Sequence, residues 1–168
     1  MSKELTGASA FWGCVDLASA DLGGRALLCS DEFFAEMHNL LKPEPAVFLP
    51  DEYTDRGKWM DGWEPRRKRV PGHDWCIIEL GAPGRVVGLD IDTAHFTGNH
   101  PPFASLDGVW APGASAEELR DSVDWLPLLG QIGLKRGSQN LAASESAQPC
   151  THVRLNICLL YTSDAADE

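Results

Sequence analysis

Long apolar runs are missing from this 168-residue chain, and none approaches the roughly 20 residues that a membrane-spanning helix requires. The opening residues also lack the basic start, apolar stretch and small-residue cleavage site of a secretory leader. Neither a membrane nor a secreted location is expected. Basic residues are few: 14 Lys and Arg stand against 25 Asp and Glu, for a net charge of −11. A nucleic-acid partner is therefore not expected, because phosphate binding needs a broad positive field. The five cysteines, Cys14, Cys29, Cys76, Cys150 and Cys158, are scattered without a Cys-x-x-Cys pair. They read as reduced thiols of a cytoplasmic protein rather than as a disulfide or zinc framework. His-Glu-x-x-His, an EF-hand loop, Gly-x-Ser-x-Gly, a phosphate loop and a dinucleotide fingerprint are all absent. At the level of motifs this removes zincin, serine hydrolase, NTPase and dehydrogenase readings.

What is present is 43% hydrophobic residues, enough for one domain with a core, punctuated by 16 Gly and 11 Pro. Frequent breaks between short apolar stretches favour an all-β domain with long loops, and two strands of equal length, Asp74 to Leu80 and Val86 to Asp92, lead to the expectation of a two-sheet antiparallel sandwich in which they pair. Arg25 to Cys29 reads as a short buried strand, Phe33 to Leu41 as one or two helical turns before Pro43 and Pro45, and Ala46 to Leu49 as another short strand. Asp74 to Leu80 and Val86 to Asp92 are rich in Ile, Val and Trp, and the intervening Gly81-Ala-Pro-Gly-Arg85 predicts a hairpin. In the second strand Val87, Leu89 and Ile91 would face the core. Antiparallel neighbours of this kind send the loop before the first strand, Asp61 to His73, and the loop after the second, Thr93 to Pro102, to one end of the sheet. Ser115-Ala-Glu-Glu118 has capping-box spacing and predicts a helix of about two turns to Val123. Gly130 to Pro149 reads as a long polar loop, and Thr151 to Ile157 as the strand that closes the sheet.

Two polar clusters fall on the converging loops. The first holds Asp61, Glu64, His73 and Asp74 with four consecutive cations, Arg66, Arg67, Lys68 and Arg69, among Trp59, Trp63 and Trp75. In so acidic a chain, four consecutive cations suggest an anion site, since guanidinium groups match a carboxylate with forked donors. A solvated loop paired with nearby carboxylates is the plainer alternative. The second cluster is Asp92, His95 and Asn99, with Asp90 read as structural; the imidazole of His95 is of the side-chain type suited to moving a proton. No cofactor is expected. A divalent ion would have to draw on His73, Asp92 and His95, whose spacing matches no metal motif.

The runs DEYTDRGKWMDGWEPRRKR (Asp51 to Arg69), GHDWCIIELG (Gly72 to Gly81) and GLDIDTAHFTGNHPP (Gly88 to Pro102) resemble the signature of the allantoicase family. So do DLASADLGGRALLCSDEFFAEMHNLLKP (Asp16 to Pro43) and THVRLNI (Thr151 to Ile157). The resemblance implies a jelly-roll sandwich of the galactose-binding-like kind, the first of two similar domains, in an enzyme that cleaves allantoate to ureidoglycolate and urea during purine (allantoin) catabolism. It implies no activity for one domain alone, and a homo-oligomer at full length. For that substrate, Arg66 and Arg67, with Arg69 beside them, would meet the carboxylate. Asp61, Glu64 and Asp74 would hold ureido donors, His95 would transfer the proton with Asp92 orienting it, and Asn99 would donate to a carbonyl. The expected catalytic set is His95, Asp92, Glu64 and Asp74; the substrate-binding set is Arg66, Arg67, Asp61, His73 and Asn99. Two other readings use the same residues: a noncatalytic small-ligand module, and an interface between domains or subunits.

The last residues, CLLYTSDAADE from Cys158 to Glu168, read as the in-frame translation of a transposon sequencing adapter. The domain is accordingly expected to span residues 1–157, with 158–168 foreign to it. Deleting Cys158 to Glu168 should leave the melting temperature within a degree or two of the intact chain's. A large drop would show that these residues pack on the domain.

Overall fold

The computed structural model describes residue 11 and residues 13–157. The stretch from Cys158 lies outside the described residues. Five strands form the main antiparallel sheet: β1 (Arg25–Cys29), β4 (Asp74–Arg85), β6 (Phe103–Val109), β7 (Leu126–Gly133) and β9 (Pro149–Ile157), in the order β1-β4-β9-β6-β7. A second layer holds β5 (Gly88–Asp92) paired with β8 (Gln139–Ala143), and a small hairpin joins β2 (Tyr53–Thr54) to β3 (Gly57–Lys58). This is an antiparallel β-sandwich, as expected, although not built on the strand pair that led to that expectation. Among the described residues a single α-helix, α1 (Ala116–Asp121), lies on the outer face of the main sheet.

The core lies between the layers. Cys76, Ile78 and Leu80 of β4, Ala104 and Leu106 of β6, and Val153, Leu155 and Ile157 of β9 alternate onto the inner face, where Leu89, Ile91 and Ala142 of the other layer pack against them. At about 1.5–3 kcal/mol for each large apolar side chain, this cluster dominates the favourable side of folding. The opposite face buries a much smaller group, in which Leu119 of α1 packs onto Ile77 and Val109. The helix begins with the capping box the sequence predicts: Ser115 Oγ accepts from the Glu118 N–H, and Glu118 Oε2 accepts from the Ser115 N–H. Among the described residues Cys14, Cys29, Cys76 and Cys150 are free thiols, with Cys76 and Cys150 buried, and burial pushes the Cys29 thiol up to about 11.

The predicted hairpin does not form. β4 runs on through Arg85, with Gly84 opposite Cys150 and Arg85 opposite Pro149, and a bulge after Glu79 accommodates the Pro83 segment. A tight reversal would need left-handed backbone at its glycines, and neither Gly81 nor Gly84 adopts it. Gly81 serves close approach instead, since a Cβ there would lie 2.6 Å from the Leu22 carbonyl oxygen. The chain then crosses between layers, and β5 pairs with β8. Val87, expected inside, is 61% exposed, and Val86 packs inward in its place.

Three further expectations change. The stretch from Gly130 to Pro149 contains the end of β7 and all of β8, whose inward positions are a small Ala142 and a buried Asn140. Asn140 replaces apolar contact with hydrogen bonds, accepting from the Lys135 N–H at 2.9 Å and donating to the Ile91 carbonyl at 2.9 Å. Ala46 to Leu49 forms no strand, and Phe33 to Leu41 supplies one short 3-10 turn over Met37–Leu41. β9 is the central strand rather than the closing one, which accounts for its nearly continuous burial.

On the outer face His152 is 2% exposed, with Nδ1 2.7 Å from Thr151 Oγ1 and Nε2 left without a hydrogen bond, 3.5 Å from Glu79 Oε2. Burial holds its pKa below the ordinary value, and the Glu79 carboxylate only partly opposes that. Below about 6.5 the unfolded chain takes up a proton that the folded chain refuses, so stability falls as pH drops from there toward the folded pKa. Urea midpoints at pH 7.5 and 5.5 should differ less for His152→Gln than for the parent chain. An equal difference would remove His152 as a source of acid lability.

Candidate functional site

The loop from Met60 to His73 is anchored from within. Trp63 is 7% exposed, a member of the core, and its Nε1–H donates to the Asp31 carbonyl at 2.8 Å. The next residue, Glu64, is bridged through its backbone to Ala35: its N–H donates to the Ala35 carbonyl, and its own carbonyl accepts from the Phe34 and Ala35 N–H groups. Asp61 ties down the segment after β1 by accepting from Lys42 Nζ and from the Val47 N–H, each at 2.9 Å. Burial raises the Asp61 pKa, but those two bonds and the Lys42 charge outweigh it and leave the carboxyl below its ordinary value.

The second loop leaves β5 at Asp92, whose Oδ1 accepts from the Ala94 N–H at 2.8 Å and turns the chain. His95 follows with φ 67°, the one non-glycine residue in left-handed backbone among the described residues. Its ring stacks on Phe48 with centroids 5.4 Å apart, and its Nε2 lies 3.3 Å from the Ala46 carbonyl. Left-handed backbone costs an ordinary residue on the order of 1 kcal/mol, and such conformations cluster at functional positions.

The two loops meet as the sequence predicts, although the strands that carry them belong to different layers. Asn99 Nδ2 donates to Glu64 Oε1 at 2.6 Å, and the Phe96 ring packs so closely on Gly62 that a Cβ there would lie 2.8 Å from it. Between them opens a cavity of about 360 Å³. Its polar lining is Lys58, Glu64, His95, Thr97 and Asn99, and its apolar walls are Phe34, Phe48 and Met60. Burial raises the Glu64 pKa, and the Asn99 hydrogen bond opposes that shift without cancelling it. The site therefore offers a carboxylic acid inclined to hold its proton, an imidazole, and an amide whose carbonyl oxygen can still accept.

Other expected residues lie elsewhere. Arg66 turns onto Asp31, with Nε and the terminal nitrogen each 2.7 Å from Oδ2, and stacks over Phe33. Asp74 is 2% exposed and accepts from Ser30 Oγ at 2.8 Å and Lys68 Nζ at 3.3 Å. His73 Nε2 pairs with Asn156 Oδ1 of β9 at 3.1 Å. The basic run thus alternates. Arg66 and Lys68 are committed to carboxylates, whereas Arg67 and Arg69 are exposed and form no ion pair among the described residues. His73, Asp92 and His95 have separate partners, and among the described residues no three His, Cys, Asp or Glu side chains are grouped to hold a metal ion. Lys58, Thr97, Phe34 and Phe48 were not among the expected site residues. The signal for Lys58 lay in the same GKWMDGWE run, masked by the longer block of cations after it.

Fold and site together define a galactose-binding-like β-sandwich with a polar cavity at one loop end. The allantoicase repeat model matches residues 15–158, and the chain belongs to the allantoicase family. It is 46% identical over 143 residues to probable allantoicase 1 of Burkholderia mallei, covering 85% of this chain and 42% of that protein. It is also 46% identical over 145 residues to the probable allantoicase of Rhizobium meliloti, covering 86% and 42%. The crystal structure of allantoicase from Saccharomyces cerevisiae superposes with a TM-score of 0.74 at 31% identity, over 85% of this chain and 43% of that one. The chain therefore spans less than half the length of these relatives.

A raised carboxyl pKa means that the ionised Glu64 opposes folding above its folded pKa, and that the cost is relieved as pH falls. Glu64→Gln removes the half-buried charge and keeps an acceptor for Asn99. At pH 7 its urea midpoint should equal or exceed that of the parent chain, whereas Asn99→Ala should lower it. A clear loss of stability in Glu64→Gln would show that the charge itself holds the loops together.

Proposed function

We propose that this chain supplies one sandwich domain of an enzyme that hydrolyses allantoate to ureidoglycolate and urea in purine catabolism, with the Glu64–His95–Asn99 cavity as a reacting site. The observation that supports it most is the Asn99–Glu64 hydrogen bond, which closes a carboxyl of raised pKa and an imidazole around one cavity. In the reaction the bond from the central carbon to one ureido nitrogen breaks and that nitrogen gains a proton. Water supplies the new hydroxyl and gives up a proton of its own. Glu64 is suited to protonate the departing urea, and His95 to accept from water. Asn99 Oδ1 is free to take a ureido N–H.

Asp61 and Asp92 act as supports in this scheme, fixing the segments that carry Phe48 and His95. Arg66, His73 and Asp74 brace the loop from outside the cavity. A second similar domain, self-association of the longer protein and a cytoplasmic location belong to the same proposal; the free thiols agree with that location. Among the described residues no helix is long and apolar enough to cross a membrane.

In a protein of the relatives' full length, His95→Ala and Glu64→Gln should each lower kcat for allantoate by roughly 10²-fold or more while KM changes little. This chain alone should release little urea. Parent-like kinetics in both variants would remove this loop end as the reacting site. Binding of allantoate without turnover by the longer protein would favour the noncatalytic module.

A further inference from the structure

A ureido acid presents a carboxylate as well as ureido groups, and the cavity must meet that charge in a chain whose net charge is −11. The cations around this loop end separate by what already holds them. Lys42 is bound to Asp61, Arg66 to Asp31 and Lys68 to Asp74, while Arg56 donates to the Phe33 carbonyl. Lys58 lines the cavity and forms no ion pair among the described residues. Its ammonium lies 4.6 Å from the centroid of the Phe48 ring. A cation over an aromatic face is held in place without using its N–H donors, which stay available to a ligand.

Lys58 is also presented by a braced element. It ends the β2–β3 hairpin opposite Tyr53, the turn places Gly57 at φ 131°, and the Trp59 N–H closes the following step on the Glu52 carbonyl at 2.9 Å. Phe48 contacts both Lys58 and His95, so one ring positions the cation and the imidazole relative to each other.

Resting on the proposed function, we infer that Lys58, seated on Phe48, is the carboxylate anchor of the cavity and makes the site select acidic ureides over neutral ones. The carboxylate then sits at the Lys58 side of the cavity, leaving the ureido groups to Glu64 and Asn99.

The test is calorimetric titration of this chain with allantoate and with its uncharged primary amide. Lys58→Gln should weaken allantoate binding about tenfold or more, and leave binding of the amide within twofold. Lys58→Arg, which retains the charge, should recover most of the loss, and added salt should weaken allantoate binding to the parent more than to Lys58→Gln. Parent-like allantoate binding by Lys58→Gln would overturn the anchor while leaving the proposed function standing. So would an equal loss for both ligands, which would mark Lys58 as merely structural. A loss in Arg67→Ala with none in Lys58→Gln would return the anion to the basic run. A parent chain that binds neither ligand would overturn the anchor, whereas the proposed function, which concerns the longer protein, would stand or fall on the kinetics of His95→Ala and Glu64→Gln.

Discussion

Burial of Trp63 is the constraint on which the rest of the site depends. The residue sits in a polar loop, yet its indole is part of the core and its N–H is bound to the Asp31 carbonyl. A buried tryptophan typically contributes about 3–5 kcal/mol when measured by truncation, whereas a single neutral hydrogen bond contributes about 1. The indole therefore decides where the loop lies, and the polar contacts follow. With Trp63 inward, the neighbouring Glu64 falls beside Ala35 and reaches the cavity, while Arg66 falls beside Asp31. The loop needs no regular secondary structure because one large side chain supplies the anchor that a strand would supply through a ladder.

The same anchoring explains why a basic block is a poor guide to an anion site. Arg66 and Lys68 have carboxylates in reach because the backbone near Trp63 turns them toward the domain, and alternation sends Arg67 and Arg69 outward. A charge already matched by a carboxylate has little field to offer a ligand. What matters is a cation that lines the cavity and is left without a carboxylate. In this cavity that description fits Lys58.

Legibility in the sequence followed the range of the interactions involved. The Ser115–Glu118 box and strand β1 were readable because a cap and a short apolar run are set by neighbouring residues. The Gly81-to-Arg85 segment was misleading because glycine has two uses. A turn needs its backbone freedom, whereas this strand needs the absence of a Cβ beside Leu22, and composition does not separate the two. Strand β8 was hidden because Asn140 fills an inward position with hydrogen bonds where a strand pattern leads one to expect an apolar side chain. Convergence of the two polar loops was still foreseeable. Reversal of chain direction between β4 and β5 occurs whether the chain folds back within a sheet or crosses between layers, so the loop ends coincide under either topology.

The cavity brings two local costs together on neighbouring loops. His95 holds a left-handed backbone without being glycine, and Glu64 keeps a carboxyl where burial disfavours its charge. Each lies next to a rigid tie: Asp92 turns the chain just before His95, and the Ala35 bridge clamps the backbone of Glu64 itself. Strain at a mobile loop would relax, because the chain could leave the unfavourable conformation with little loss of contact. Here leaving it would break the Phe48 stack at His95 or the Asn99 bond at Glu64, and with them the cavity between the loops. The cost is thus retained at the two groups able to move a proton, while the sandwich beneath, whose inner faces are almost wholly apolar, supplies the stability that tolerates it.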